Sequence, residues 1–277
     1  FTLTSWTKGI APYDFELPFG WSAPQDIIHT IFDRALVKVN CGAISAGLVE
    51  SELGIGNRLT LLDDAGGPSS ADFESGQFVR IWVPGRDARR AYSPANVANW
   101  DGELEFYIRL LPGGAMSEYL SGTAALGDEL TVTAATGEFG LAESGLRPRW
   151  FIAGGTGLSP LLSMLRRMAD WGDPQPARLF FGVTRHTEVF GQEELQALAD
   201  SLPDFRYDTV VWHPDAAWAG ATGNPVDLAA AEVSLLDEMP DVYVCGPPPM
   251  VDAAYVALGA AGVPEDQIHA ERFSAVE

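Results

Sequence analysis

The pattern of the sequence changes after Arg149, and this change constrains the fold more than any other feature. Residues 150–153 form a short apolar segment, a Gly-rich turn follows, and residues 160–171 repeat apolar side chains at helical spacing. Further strands are predicted at 179–183, 207–211 and 241–245, and further helices at 193–199 and 249–261. Such alternation predicts βαβ units around a parallel sheet that binds ligands at the carboxyl ends of its strands. Residues 147–277 are therefore predicted to form a Rossmann-like α/β domain.

The preceding region, residues 42–146, has the pattern of an all-β domain. Its short apolar segments are separated by Gly, Pro, Asp and Asn, and the predicted strands are 58–62, 77–83, 104–110 and 129–132. Closely spaced strands of this kind predict an antiparallel barrel or sandwich. Residues 1–41 are a separate N-terminal segment, in which 13–17 alternate like a strand and 26–37 fit a short amphipathic helix. The predicted class is β followed by α/β, in two domains.

Composition excludes several functions. The chain has 277 residues, enough for two cores, and a formal net charge of -21, which repels phosphate backbones and anionic membranes. Cys41 and Cys245 are too few for a disulfide framework and lack the spacing of a zinc or iron-sulfur site. We expect a reduced, cytoplasmic setting, with no nucleic-acid partner and no membrane insertion, because no apolar run is long enough to span a bilayer.

The four histidines do not suggest a metal centre. They are dispersed along the chain, without an i, i+4 pair, as His29, His186, His213 and His269. We interpret them as structural or surface residues and predict no metal site.

Two glycine-containing loops of the α/β domain carry candidate chemistry. The first, residues 154–160, reads Gly-Gly-Thr-Gly-Leu-Ser-Pro where a strand passes into a helix, so its N–H groups are placed to meet a pyrophosphate. Pro160 fits the first helical turn. The second, residues 244–250, reads Val-Cys-Gly-Pro-Pro-Pro-Met after a later strand, and we expect both loops to line one crevice. Each also has a simpler interpretation, as a tight turn or as a buried Cys followed by helix-capping prolines.

Two further motifs lie in the β domain. Residues 89–96, Arg-Arg-Ala-Tyr-Ser-Pro-Ala-Asn, combine a cation for phosphate, an aromatic ring for stacking and a hydroxyl, all of which a flavin requires. Residues 113–120, Gly-Gly-Ala-Met-Ser-Glu-Tyr-Leu, fit the start of a short helix whose N–H groups meet a second phosphate. The simpler alternatives are a surface charge beside a core tyrosine, and a glycine turn with Ser117 as the helix cap.

In this order the four motifs resemble the ferredoxin NADP reductase superfamily, from about residue 42 to the end. Residues 92–96, 139–141, 211–214 and 271–273 are most similar to the reductase components of soluble methane monooxygenase and related bacterial multicomponent monooxygenases. The resemblance implies an FAD-binding β domain, an NADH-binding α/β domain, and single-electron transfer to a [2Fe-2S] ferredoxin domain or protein that serves a diiron hydroxylase.

The resemblance also implies residue roles. The predicted catalytic residues are Ser93, which lies near flavin N5, Cys245, which lies beside the nicotinamide C4, and Glu271. The predicted FAD-binding residues are Arg90, Ala91, Tyr92, Ser93, Pro94, Tyr107, Ile108, Arg109, Gly114, Ala115, Met116 and Ser117. The predicted nucleotide-binding residues are Gly155, Thr156, Gly157, Pro160, Arg185, Cys245, Gly246, Pro247, Pro248, Met250 and Phe273. FAD rather than FMN follows from residues 114–117.

Several alternatives stay open at the level of sequence. Arg185 suits the 2′-phosphate of NADPH, but equally an adenine stack or solvent; the resemblance favours NADH. The chain begins with Phe1 and lacks the cysteines of a cluster domain, yet residues 13–19 resemble the end of one and its linker. Either that domain has been removed or left out, or a separate ferredoxin is used. Alternative functions are the reductase of an aromatic-ring dioxygenase or flavohaemoglobin, and a non-catalytic flavin- or dinucleotide-binding subunit.

Overall fold

A computed structural model describes residues 47–49, 56–61, 69–125, 128, 130–142 and 145–273. The predicted strand 13–17 and helix 26–37, together with His29 and Cys41, lie outside these ranges. The chain divides into two compact units. The smaller unit comprises Phe1–Ala71, Ile81–Ala88 and Asn99–Thr133, and the larger comprises Asp72–Arg80, Arg89–Ala98 and Ala134–Glu277.

The secondary structure of the described residues runs as follows. The strands are β1 Gly47–Val49, β2 Gly56–Thr60, β3 Val79–Trp82, β4 Arg89–Tyr92, β5 Glu103–Phe106, β6 Arg149–Gly154, β7 Ala177–Val183, β8 Phe205–Val211, β9 Ala221–Thr222, β10 Asp241–Gly246 and β11 Ile268–Arg272. The helices are α1 Ala115–Gly122, α2 Leu158–Trp171, α3 Gln192–Ser201, α4 Pro225–Val233 and α5 Pro248–Ala260.

The smaller unit contains antiparallel strands, as predicted. Strands β1, β2 and β5 form a three-stranded sheet in that order, in which Leu59 lies opposite Leu104 and both are buried. The predicted strand 104–110 is shorter because Asn57 pairs with Phe106, so residues 107–110 run past the described end of β2. Of the predicted strand 129–132, Val132 forms an isolated antiparallel bridge with Ile81.

The larger unit contains the predicted parallel sheet. Its order is β11-β10-β6-β7-β8-β9, and every neighbouring pair is parallel. Three of the four inner strands, β6, β7 and β10, are buried on both faces, since helices cover each face of such a sheet. This confirms the β plus α/β class.

One face of this sheet packs against α4 and α5. Ile152, Phe180 and Val244 form a buried cluster with the inward side chains of the two helices. Because successive strand residues point to opposite faces, Phe151, Phe181 and their neighbours face the other way. The sheet therefore makes apolar contacts on both of its faces.

Helix α2 begins directly after the Gly-rich loop of β6. Its apolar residues recur at helical spacing, and Leu158, Leu161, Leu162 and Leu165 are fully buried. The helix ends at Gly172, whose left-handed backbone (φ 62°, ψ 40°) brings its N–H to the carbonyl of Ala169 at 3.2 Å. The predicted helix, 160–171, differs from the observed helix only in its first residue, which is Leu158 in the structure.

The elements that were not predicted are strands β1, β4, β9 and β11 and helix α4. Helix α4 begins after Asn224, whose side chain accepts a hydrogen bond from the N–H of Val226 at 2.9 Å, with Pro225 in the first turn. This Asn-Pro pair was a readable start signal. Strand β11 reads Ile-His-Ala-Glu-Arg and is recognised only by its parallel pairing with β10.

None of the helices in the described ranges has the length and apolar character needed to cross a membrane.

The centre of the parallel sheet should dominate the stability of the larger unit. Ile152 lies on the middle strand with no exposed surface, so we expect Ile152→Ala to lower the free energy of unfolding by about 2–5 kcal/mol. Leu235→Ala is the matched control, because Leu235 is 82% exposed and its truncation should change stability by less than about 0.5 kcal/mol. Urea unfolding followed by circular dichroism compares the two, and equal losses would contradict this placement of the core.

Candidate functional site

The loop between β6 and α2 has the geometry of an anion-binding turn. Gly155 has a left-handed backbone (φ 55°), and a Cβ added there would meet no atom within 4 Å. The loop leads into α2, a helix of 14 residues, where the N–H of Leu158 donates to the carbonyls of Gly155 and Thr156 and the positive end of the helix dipole faces the loop. Open space above a helix N-terminus suits a phosphate, because both the N–H groups and the helix dipole favour negative charge.

The second loop contacts the first, as predicted. A Cβ on Gly157 would overlap the carbonyl oxygen of Cys245, and one on Gly154 would lie 2.6 Å from the sulfur of Met250. A Cβ on Gly246 would lie 3.2 Å from the Cα and the N of Gly154. The two loops thus pack backbone against backbone, which requires glycine on both sides.

Cys245 lies near the carboxyl end of β10, where the second loop begins. It is fully buried, and the parallel register places it between Ala153 on β6 and Glu271 on β11. Burial raises the pKa of its thiol well above the usual value, and the negative charge of Glu271 adds to this effect. The side chain is therefore a neutral thiol at physiological pH and acts as a compact, soft packing surface.

Glu271 is the carboxylate of the site. Its burial raises its pKa to about 7, and a contact of 3.5 Å from the hydroxyl of Ser93 opposes that shift only weakly. The end of β11 is fixed by the N–H of Phe273, which donates to the carbonyl of Gly246 at 2.9 Å. A carboxyl that titrates near neutrality can hold or release a proton at working pH.

The segment that carries Ser93 lies in the same unit. Ser93, Pro94 and Ala95 are buried, and Ser159 at the start of α2 donates its hydroxyl to the carbonyl of Ser93 at 2.7 Å. Tyr92 is half-buried, and burial raises the pKa of its phenol although the charge of Arg90 opposes this. The structure therefore brings Ser93, Cys245 and Glu271 to one place.

The remaining predicted residues of the larger unit vary in exposure. Pro160 is buried in the first turn of α2, and Pro248 starts α5. Arg185 is exposed after the carboxyl end of β7. Ala91 and Pro247 are exposed, whereas Thr156 is half-buried in the first loop.

The glycine motif of the smaller unit does start a helix. Gly114 caps α1, and Met116 is buried in its first turn. The alternative in which Ser117 caps this helix is wrong, because Ser117 lies inside the first turn and its hydroxyl accepts a hydrogen bond from the N–H of Leu111 at 2.8 Å. Among the other predicted residues of this unit, Tyr107 is half-buried, Ile108 is buried and Arg109 is exposed.

Comparison with known proteins identifies the two functional parts. The profile of the oxidoreductase NAD-binding domain matches residues 151–255, and that of the oxidoreductase FAD-binding domain matches residues 67–140. The structure is similar to that of the Amycolatopsis cytochrome P450 reductase GcoB, with a TM-score of 0.72 and 30% identity over 84% of this chain and 70% of that one.

The chain belongs to the ferredoxin reductase family of FAD- and NAD-binding oxidoreductases.

Sequence relatives within this family include oxygenase components. The toluate 1,2-dioxygenase electron transfer component of Pseudomonas putida is 38% identical over 73% of this chain and 59% of its own length. Methane monooxygenase component C of Methylosinus trichosporium is 45% identical over 60% of this chain and 48% of its own length. The chain thus spans about half to three fifths of the length of these relatives.

The loop at Gly155 fits the dinucleotide that the NAD-binding domain of this family binds. The open space at Gly155 and the helix N-terminus behind it suit the pyrophosphate of a dinucleotide. Sequence reasoning missed three buried serines near Ser93, namely Ser75, Ser159 and Ser163. Their signal was available, because serines 159 and 163 are four residues apart on an apolar helix.

The raised pKa of Glu271 predicts a pH-dependent stability. In the unfolded chain this carboxyl loses its proton near pH 4.5, and in the folded protein near pH 7. Between these values the folded state binds more protons, so this group's contribution to stability falls as pH rises and is lost above pH 7. Allowing for its partial exposure, Glu271→Gln should be more stable than wild type by about 2 kcal/mol at pH 8 and equal at pH 4.5.

Urea unfolding of both proteins from pH 4.5 to 8.5 measures this difference. Glu265→Gln, which neutralises an exposed carboxyl of the same unit, is the matched control. A difference between wild type and Glu271→Gln that does not grow with pH would contradict the burial of this carboxylate.

Proposed function

We propose that the protein takes reducing equivalents from NADH onto FAD and passes single electrons to a [2Fe-2S] ferredoxin domain or protein that serves a diiron monooxygenase. The observation that carries this proposal is the meeting of the open Gly155 loop with Cys245, Glu271 and Ser93 at one end of the parallel sheet. When bound, FAD accepts two electrons from the nucleotide and releases them one at a time. The chain's own residues position and orient the nucleotide and the flavin, and they exclude water from between them.

On this proposal residues 147–277 bind the nucleotide. Gly155 to Gly157 meet its phosphates, with Thr156 as a polar partner, and the neutral thiol of Cys245 packs beside the nicotinamide ring. Phe273 closes the far side, together with Glu271. The predicted neighbours Pro160, Gly246, Pro247, Pro248 and Met250 complete the walls of the pocket. Because Arg185 is exposed rather than enclosed by cationic neighbours of its own loop, we assign NADH as the preferred nucleotide.

Residues 42–146 bind FAD on the same proposal. Tyr92 packs on the isoalloxazine, and the hydroxyl of Ser93 donates near N5. Arg90 supplies a cation for the FAD pyrophosphate. In the smaller unit, the N–H groups at the start of α1, from Gly114 to Ser117, suit a phosphate. Glu271 lies 3.5 Å from the Ser93 hydroxyl and has a pKa of about 7, so in its protonated form it can donate a hydrogen bond to that hydroxyl and leave the hydroxyl's own proton directed at N5.

The partners follow from the relatives. Several relatives are named as reductase or electron transfer components of oxygenases, including the propane 2-monooxygenase reductase component of Mycolicibacterium goodii, which is 34% identical over 75% of this chain. We propose that this protein likewise delivers electrons to an oxygenase, in the cytoplasm, through a [2Fe-2S] acceptor. A diiron hydroxylase is the terminal acceptor that the resemblance of residues 92–96 and 211–214 favours.

A second candidate is the reductase of an aromatic-ring dioxygenase. It is favoured by the match to the toluate 1,2-dioxygenase component and by the similarity to the ferredoxin reductase of carbazole 1,9a-dioxygenase, with a TM-score of 0.72 and 30% identity over 83% of this chain. Both candidates share the flavin chemistry and differ only in the acceptor. Assays with purified diiron and Rieske-type oxygenase components would separate them.

Anaerobic titration tests the electron-transfer proposal. NADH should bleach the absorption band of bound FAD in stoichiometric amounts, and NADPH should do so at least about tenfold more slowly, which corresponds to 1.4 kcal/mol of discrimination. Cytochrome c, a one-electron acceptor, should then reoxidise the flavin. Bound FAD that neither nucleotide reduces would instead favour a non-catalytic binding subunit.

Substitution of Gly155 tests the nucleotide loop. An alanine there must adopt a left-handed backbone, at a cost of about 1–2 kcal/mol, and places a methyl group in the space assigned to the phosphates. We expect Gly155→Ala to raise the Kd for NAD⁺ by roughly tenfold while FAD binding is unchanged.

Gly172→Ala provides a closely matched control. Gly172 ends the same helix, has a similar backbone (φ 62°) and also has no atom within 4 Å of an added Cβ. The Gly172→Ala variant should therefore lose as much stability as Gly155→Ala, but its affinity for NAD⁺ should not change. Isothermal titration of both variants with NAD⁺ gives the comparison, and parallel weakening in both would contradict the assignment of the loop.

A further inference from the structure

Helix α2 binds the backbone of the segment that carries Ser93. Three carbonyl groups of residues 93–96 accept hydrogen bonds from side chains of this one helix. The bonds are Ser159 Oγ to Ser93 O at 2.7 Å, Ser163 Oγ to Asn96 O at 2.6 Å, and Arg166 Nη1 to Ala95 O at 3.0 Å.

The spacing of the donors explains why a single helix can do this. Positions 159, 163 and 166 are separated by four and three residues, so they share one face of α2. The segment contains Pro94, which has no N–H and cannot join a strand ladder. Buried carbonyls need a partner, and here the partners are side chains rather than backbone.

Ser163 is the central donor of the three. It has no exposed surface, and a hydroxyl carries a single proton. Because the Asn96 carbonyl can only accept, that proton goes to Asn96. The Ser75 hydroxyl lies 2.9 Å from the Ser163 hydroxyl and 3.2 Å from the Ser163 carbonyl, so its own single proton serves one of these two acceptors. The proton of Ser163 is thereby left for the Asn96 carbonyl.

The same helix begins at the nucleotide loop. Gly155 lies three residues before Leu158, the first residue of α2, and Ser159 follows in the first turn. The helix is rigid over this length, since its apolar face is fully buried. A change in the mobility of the loop backbone therefore reaches the Ser93 segment through the hydroxyl of Ser159 and, one turn later, through that of Ser163.

We propose that Ser163 is a positioning residue, which, through the Asn96 carbonyl, holds the Tyr92–Asn96 segment on α2 and links nucleotide binding at the start of that helix to the placement of the Ser93 hydroxyl. The effect of this role on electron transfer rests on the proposed function. The hydrogen bonds on which it depends exist in the chain without any cofactor.

Hydrogen exchange of the FAD-bound full chain tests the link. In wild type, NAD⁺ should slow exchange of the amides of residues 95–97. In Ser163→Ala these amides should exchange roughly tenfold faster, as expected for one lost hydrogen bond, and NAD⁺ should no longer protect them. The rate of flavin reduction at saturating NADH should fall, whereas the Kd for NAD⁺ should stay within twofold.

Two controls separate positioning from general loosening. Ser163→Thr keeps the hydroxyl and should restore most of the protection. Val233→Ala opens a cavity in α4, which is buried in the same unit, and should leave exchange at 95–97 unchanged. If Ser163→Ala does not fold, Arg166→Met removes the bond to Ala95 at a half-buried position and should give the same loss of protection.

The outcomes distinguish this inference from the proposed function. Wild-type flavin that NADH does not reduce, with faster exchange in Ser163→Ala, would sink the proposed function and leave the positioning role standing. Normal reduction with unchanged exchange in Ser163→Ala would overturn the positioning role alone. Equal loss of protection in Val233→Ala would also overturn it, because the effect would then be one of overall stability.

Discussion

The close approach of two backbone segments, after β6 and at the end of β10, is the constraint on which the site depends. Gly157 lies against the carbonyl of Cys245, and no side chain would fit between them. Because β6 and β10 are neighbours in the sheet, their loops emerge side by side. The glycines let α2 start directly above this point, so its open N-terminus, the buried thiol and the carboxylate of β11 share one end of the sheet.

The sheet itself is fixed close behind the site by a row of rings. Tyr243 on β10 stacks on Phe151 of β6 at 5.2 Å and on His269 of β11 at 4.9 Å, and all three are partners in the strand register. The hydroxyl of Tyr243 accepts a hydrogen bond from the N–H of Ala142 at 2.9 Å. Cys245 and Glu271 lie two residues further along the same face, so this row sets their separation.

Polar groups are buried at the site for two different reasons. The serines of α2 are fully hydrogen-bonded, so they add order at little cost, and they hold a segment that contains a proline. Glu271 is half-buried with only a long contact to Ser93, so its charge is disfavoured and its pKa moves toward neutrality. The first arrangement stabilises the fold, whereas the second lowers stability at neutral pH and supplies a group that can exchange protons.

The sequence by itself determined the class of the fold, the parallel sheet of the second unit and the two loops that meet there, because apolar periodicity and glycine placement are local properties. Cys245 and the Gly155 loop were readable for the same reason. Only the tertiary structure decided that β11 joins the sheet beside β10, that Ser117 is not a cap, and that serines 159 and 163 bind the Ser93 segment. These depend on partners between 6 and 67 positions away in the chain, and no local pattern encodes which distant carbonyl a buried hydroxyl will find.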